Sequence, residues 1–182
     1  MVKKMNKKII CIGLVGLLAL MATTNTVYAA EAKNVSEVGN KIIKVKLIEL
    51  LSSLHIIVNN LEIEYEYLLM EGFLPDDHVM EVISYAMNEF ESAITSVEEM
   101  LDNIDEWTVF ELKDHVYDLY SNLCTFEVTI EYEYEQLLNE GHSPDEHPME
   151  VISYAMSSLD SVKIKVQIII SLIPDITPNI QL

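Results

Sequence analysis

Arginine is missing from this chain altogether, and its basic charge comes from 11 lysines set against 30 acids. A formal net charge of −19 excludes nucleic acid as a partner, because holding phosphates needs clustered Lys and Arg. An anionic membrane surface is disfavoured for the same reason. Cysteine is almost absent too. Only Cys11 and Cys124 occur, and Cys11 sits in an apolar leader, so no intramolecular disulfide is expected and packing alone must hold the fold. With five glycines and five prolines in 182 residues, no segment shows sustained strand alternation between Gly/Asn turns. Nucleophile–base pairs, Gly-rich phosphate loops, EF-hand loops, the H-E-x-x-H motif and metal-finger spacings of Cys and His are all lacking, so no enzyme activity is expected.

What is present begins with an address. Lys3, Lys4, Lys7 and Lys8 precede an uncharged apolar run from Ile9 to Ala22, and Val27 and Ala29 put small residues at −3 and −1 of a cleavage site. Residues 1–29 therefore read as a secretory signal peptide. The run is shorter than the roughly 20 residues that span a bilayer, so no stable membrane anchor should remain after cleavage. The expectation is a secreted, extracellular protein of a kind that suits a Gram-positive bacterium. All four leader lysines and none of the 30 acids would be removed, leaving −23 on residues 30–182.

The strongest signal is a repeat. Residues 62–87 read EIEYEYLLMEGFLPDDHVMEVISYAM and residues 131–156 read EYEYEQLLNEGHSPDEHPMEVISYAM, identical at 19 of 26 positions at an offset of 69. Such a repeat implies one supersecondary unit used twice, each copy covering the apolar face the other cannot bury alone. Apolar residues recur at three- and four-residue steps: Leu47, Leu51, Leu54, Val58, Leu61, Tyr65 and Leu68; then Val79, Ile83, Ala86, Phe90, Ala93 and Val97; then Val109, Leu112, Val116, Leu119, Leu123, Phe126, Ile130, Tyr134 and Leu137; then Ile152, Ala155, Leu159, Val162, Val166, Ile169 and Ile173. That is the helical period. The predicted fold is all-α, an antiparallel up-down-up-down four-helix bundle built from two repeated helical hairpins. Its predicted extents are a bundle over 30–173, repeats at about 41–101 and 108–172, and an extended tail over 174–182.

The breaks carry helix-end chemistry. Gly72 and Gly141 stand where a left-handed C′ residue would end the first and third helices. Thr108 with Glu111 forms a capping box for the third helix. Ser143 with Glu146 reads as another, with Pro144 at the first position of the fourth helix; in the first copy Leu74 replaces the serine, and the cap is expected to shift to Asp76. Short loops then place residues 72–77 and 141–146 together at one tip.

That tip carries the candidate site. Glu71, Asp76, Asp77 and Glu81 come from one copy and Glu140, Asp145, Glu146 and Glu150 from the other, with no basic side chain but histidine. Acids in a helix's first turn are favoured by its dipole. Glu71 and Glu140 fall in last turns, where a negative charge is unfavourable, so something must offset them. Tyr85 and Tyr154 are expected on the exposed side, as aromatics that would strengthen a protein contact. The expected function is a non-enzymatic binding protein whose acidic tip docks a basic protein or peptide. The alternative is a divalent metal site, with His78 and Glu81, and His147 and Glu150, as ligands for Zn²⁺ or Mn²⁺, carboxylates alone for Ca²⁺, or His with nearby Met for Cu⁺. Tyr65 and Tyr134 read as packing residues and Cys124 as a small buried one. Extra apolar residues at Ile164, Ile168 and Ile170 leave room for a homodimer.

Overall fold

The computed structural model describes the backbone of residues 7–174 and the side chains of residues 39–174. Lys3 and Lys4, every leader side chain and the expected tail beyond Pro174 lie outside those residues. Four helices form the described chain: α1 (Lys7–Glu71), α2 (His78–Asn103), α3 (Val109–Glu140) and α4 (His147–Leu172). No strand occurs among the described residues.

The chain divides into two units, Met1–Lys41 and Ile42–Leu182. In the first, the backbone of α1 is helical from Lys7 onward, straight through the position expected for leader cleavage. No proline interrupts Lys7–Glu71, and an interior glycine costs a helix only about 1 kcal/mol. Among the described residues no helix is long and apolar enough to cross a membrane.

In the second unit α2 packs on α3 and α4, and α3 packs on α4, as in a helical bundle. The offset of 69 that relates the two sequence copies also relates their cores. Leu47, Leu54, Leu61 and Leu68 are buried, and so are Val116, Leu123, Ile130 and Leu137; Ile83, Phe90 and Val97 are matched by Ile152, Leu159 and Val166. The duplicated packing pattern thus extends well beyond the 26 near-identical residues. Two departures matter. Phe126 replaces Ile57 and Phe90 replaces Leu159, so both phenylalanines meet on the α2–α3 side, edge to face at 5.2 Å between ring centres. Tyr85 adds a second edge contact to Phe126 at 5.7 Å. The α3–α4 side has no such cluster and keeps a cavity of about 310 Å³ beside Tyr134, Met156 and Leu159. No buried side-chain nitrogen or oxygen lacks a partner among the described residues.

The helix ends follow the expected chemistry in part. Gly72 and Gly141 adopt φ of 103° and 104°, and the amides of Phe73 and His142 reach back to Leu68 and Leu137 at 3.1 Å, which closes both helices in Schellman fashion. A Cβ at either glycine would meet nothing within 4 Å, so only the backbone opposes substitution. Gly72→Ala and Gly141→Ala are each expected to cost about 1 kcal/mol, read as a lower urea midpoint with an unchanged slope. Thr108 caps α3 in a complete capping box with Glu111, whose carboxyl the Thr108 amide and hydroxyl hold below its usual range.

The expected box at Ser143 does not start α4. The helix begins at His147, with Pro148 in its first turn and Glu146 as N-cap in extended conformation. Residues 143–146 instead form a turn of their own, in which the Ser143 amide donates to the Glu146 carboxylate at 3.0 Å and the Ser143 hydroxyl to Asp145. In the first copy the N-cap is Asp77, not Asp76, and its carboxylate likewise accepts from the Leu74 amide at 2.6 Å. Proline is not the cause, since Val79 stands where Pro148 does. Asp77 and Glu146 turn back onto their loops, so α2 and α4 open without side-chain caps. The consequence is that His78 and His147 become the first helical residues.

Candidate functional site

His78 and His147 organise two equivalent clusters. The Nδ1 of His147 donates to Glu71 at 3.0 Å, and its Nε2 donates to Glu64 at 3.0 Å. The Nδ1 of His78 donates to Glu140 at 3.0 Å, and its Nε2 donates to Glu133 at 3.1 Å. Every partner is related by the same offset of 69, yet the bonds cross between the copies: the second copy's histidine is held by the first copy's acids, and the reverse. Glu64 and Glu71 lie seven residues apart, two turns along one face of α1, so a single imidazole can lie between them.

Both ring nitrogens facing carboxylates is the environment of an imidazolium, which alone donates from both. His147 is held above its ordinary pKa first by Glu71 and then by Glu64, with partial burial opposing. His78 is raised first by Glu140 and then by Glu133, against partial burial. This arrangement accounts for the acids that sequence reasoning left unexplained. A carboxylate in the last turn of α1 or α3 opposes that helix's dipole, and a cation at the first residue of α2 or α4 opposes the other's. Paired, each misplaced charge neutralises the other.

Above each histidine lies an open groove. One, of about 450 Å³, is lined by Asn60, Ile63, Glu64, His147, Glu150, Val151 and Tyr154. The other, of about 210 Å³, is lined by His78, Glu81, Val82, Tyr85, Thr129 and Glu133. Six of the seven positions recur in the second groove, with Thr129 replacing Asn60; Ile63 lines the larger groove only. The tyrosines differ from expectation: they are half-buried and pack on the core. The Tyr154 hydroxyl accepts from Asn60 at 2.9 Å, and Tyr85 hydrogen-bonds Thr129 while its burial pushes the phenol upward. Their rings form groove walls.

The ten acids and tyrosines expected at the tip therefore separate by task. Glu71 and Glu140 bind the histidines. Asp77 and Glu146 close their own loops, and Glu146 also accepts from His142 at 2.9 Å. Asp76 and Asp145 are exposed in the loops that precede α2 and α4. Glu81 and Glu150 are exposed, line the grooves and share them with His78 and His147. Tyr65 and Tyr134 pack against the core as expected, whereas Cys124 is only partly buried. Glu64, Glu133, Asn60 and Ile63 were missed. Both glutamates lie inside the repeat, and their seven-residue spacing to Glu71 and Glu140 was a readable signal.

Among the described residues no three His, Cys, Asp or Glu side chains converge as a metal-binding group. No protein-family model matches the chain, and it is similar to no curated protein and no solved structure.

Proposed function

We propose that the chain is an exported, non-enzymatic binding protein, and that each groove receives a basic side chain of a protein or peptide partner. The framework proposed is an antiparallel up-down-up-down bundle of two repeated hairpins. Contacts whose numbers rise on one helix as they fall on the next support it: Ser53–Lys165, Asn60–Tyr154 and Glu64–His147 between α1 and α4, Tyr120–Gln167 and Glu127–Lys163 between α3 and α4, and Tyr85–Phe126 with His78–Glu133 between α2 and α3.

The observation that carries the binding role is that both copies keep a groove of one chemistry. In the larger, imidazolium cancels one carboxylate of the pair Glu64 and Glu150, so the groove stays negative. Ile63 and Val151 offer an apolar bed for the methylenes of a Lys or Arg, Tyr154 offers a ring face, and Glu150 an acceptor for the charged head. The net charge of −19 would steer a cationic partner toward the protein, and two linked grooves would add avidity. Titration with a peptide carrying several lysines tests this reading. Glu81→Gln/Glu150→Gln spares both histidine clusters and is expected to weaken binding about tenfold at moderate salt, one exposed charge contact being lost per groove. Unchanged affinity would overturn it.

The metal alternative has one support: His78 shares its groove with Glu81, and His147 with Glu150. Ligation by imidazole requires the neutral ring, and here both nitrogens already donate to carboxylates. A Zn²⁺, Mn²⁺ or Cu⁺ site would therefore strengthen as pH rises and disappear in His78→Ala/His147→Ala. A Ca²⁺ site, built from carboxylates, would survive that substitution. Calorimetric titration of each ion at pH 6 and pH 8 distinguishes them.

A further inference from the structure

The duplication supplies an internal control for surface residues, because a position and its counterpart 69 residues away occupy equivalent places on the two halves of the core. On α1 the outward residues Val45, Ile48, Ile56 and Ile63 are all exposed, from 45% for Ile63 to 61% for Ile56, and on α4 Ile164 and Ile168 are exposed too. Lys165 reaches Ser53, so these α4 residues border the same face. Their counterparts are Asp114, Tyr117, Thr125, Tyr132, Thr95 and Glu99. None is aliphatic. The fold therefore does not require an aliphatic surface at these positions, and the α1–α4 side carries residues that the equivalent positions on α3 and α2 lack. Contiguous aliphatic surface of this kind marks a contact region.

Charge along α1 identifies what covers it. Lys44 lies near one end of the face and Glu62 near the other, 18 residues apart, which is five helical turns and so the same flank. Val45 and Ile63 stand in the same relation. A sequence arranged this way is self-complementary only when reversed. A second α1 running antiparallel, with a twofold axis near Ser53, sets Lys44 against Glu62 of the other copy and Val45 against Ile63, and does so twice. Lys44 already meets Asp105 at 3.1 Å, a contact left 41% and 74% exposed that an ammonium with three donors can keep. A parallel pairing, with its twofold axis along the helices, would put the Lys44–Glu62 flanks of the two copies on opposite sides of the interface, where they could not meet.

We propose that the aliphatic face of α1, flanked by α4, is a homodimer interface in which the two α1 helices cross antiparallel. A closed twofold contact of this kind consumes the patch in one step and leaves no open edge. It goes beyond the binding role proposed for the grooves and does not rest on it, and the two share Ile63 at the edge of the larger groove.

Sedimentation equilibrium of the full chain over a wide concentration range tests the proposal. Wild type is expected to form a dimer that Ile56→Glu abolishes with an unchanged circular dichroism spectrum, while the counterpart substitution Thr125→Glu has no effect. Lys44→Glu is expected to weaken the dimer about tenfold, since one exposed pair is lost twice across the axis, and adding Glu62→Lys is expected to restore it. A monomer at every concentration, association that Ile56→Glu leaves intact, or a dimer strengthened by Lys44→Glu would each overturn the proposal. So would a monomeric wild type that sediments with phosphatidylcholine vesicles through Ile56, which would assign the face to lipid.

Discussion

Phe126→Ala is expected to lower the unfolding free energy by about 3–5 kcal/mol. Phe126 is 1% exposed and Phe90 is fully buried, and the ring of Phe126 contacts both Phe90 and Tyr85 edge to face. Truncation removes the transfer energy of the ring, two aromatic contacts and the packing of whatever cannot collapse into the space. Against a typical total of about 5–15 kcal/mol, this is a large share, and the melting temperature should fall by roughly 10 °C. The repeat supplies the control. Phe126→Ile installs the residue already present at the counterpart position 57, and is expected to cost clearly less. Chemical denaturation of the three proteins checks both statements. A Phe126→Ile protein as stable as wild type would mean that the aromatic cluster does not carry the α2–α3 contact, and equal losses for Ala and Ile would contradict the second statement.

His78→Ala/His147→Ala is expected to cost about 2 kcal/mol near pH 6 and much less near pH 9. Hydrogen bonds to charged groups contribute about 1.5–3 kcal/mol when protected, but the histidine side chains are 34% and 36% exposed, so about 1 kcal/mol per cluster is the appropriate figure. The sign follows from the direction of the pKa shifts. Both histidines are raised in the native state relative to 6.5. Their stabilisation is therefore complete below 6.5 and is lost as pH rises through the native value. The loss has a structural origin: a neutral imidazole donates from one nitrogen only, so one carboxylate of each pair is left facing a lone pair. Urea midpoints of wild type and variant at pH 6 and pH 9 read the difference directly. A gap that widens with pH would contradict the arrangement.

Much of the helical pattern was legible because it depends on periods. Three- and four-residue apolar spacing marks the buried stripes, and glycine marks the two left-handed closures at Gly72 and Gly141. The offset found over residues 62–87 and 131–156 extends to the whole core for the same reason: burial constrains residue size, not identity, so Leu54 and Leu123 remain while exposed neighbours diverge. The start of α4 was misread at Ser143 because the capping-box pattern is local. Whether the Glu146 carboxylate serves a helix or its own turn is decided by the extended backbone at that residue. The tip was read as two sets of acids rather than as charge pairs, since bonds between positions 64 and 147 depend on how the helices meet. Even so, Glu71 and Glu140 were visible as acids at unfavourable helix ends, and a matched histidine in each copy was the nearest available cation. Tyr85 and Tyr154 were placed outside because heptad position alone ignores the rotation that lets a ring lie along a seam.

The central claim is that each histidine is held by the acids of the other copy. Proton magnetic resonance titration of the His78 and His147 ring signals tests it most directly, in wild type, in Glu64→Gln/Glu71→Gln and in Glu133→Gln/Glu140→Gln. Both wild-type midpoints are predicted to lie above 6.5. The first pair of substitutions should lower the midpoint of His147 and leave His78 in place, and the second should do the reverse. Midpoints at or below 6.5 in wild type, or a His147 signal that follows Glu133 and Glu140 instead, would contradict the crossed pairing on which the site rests.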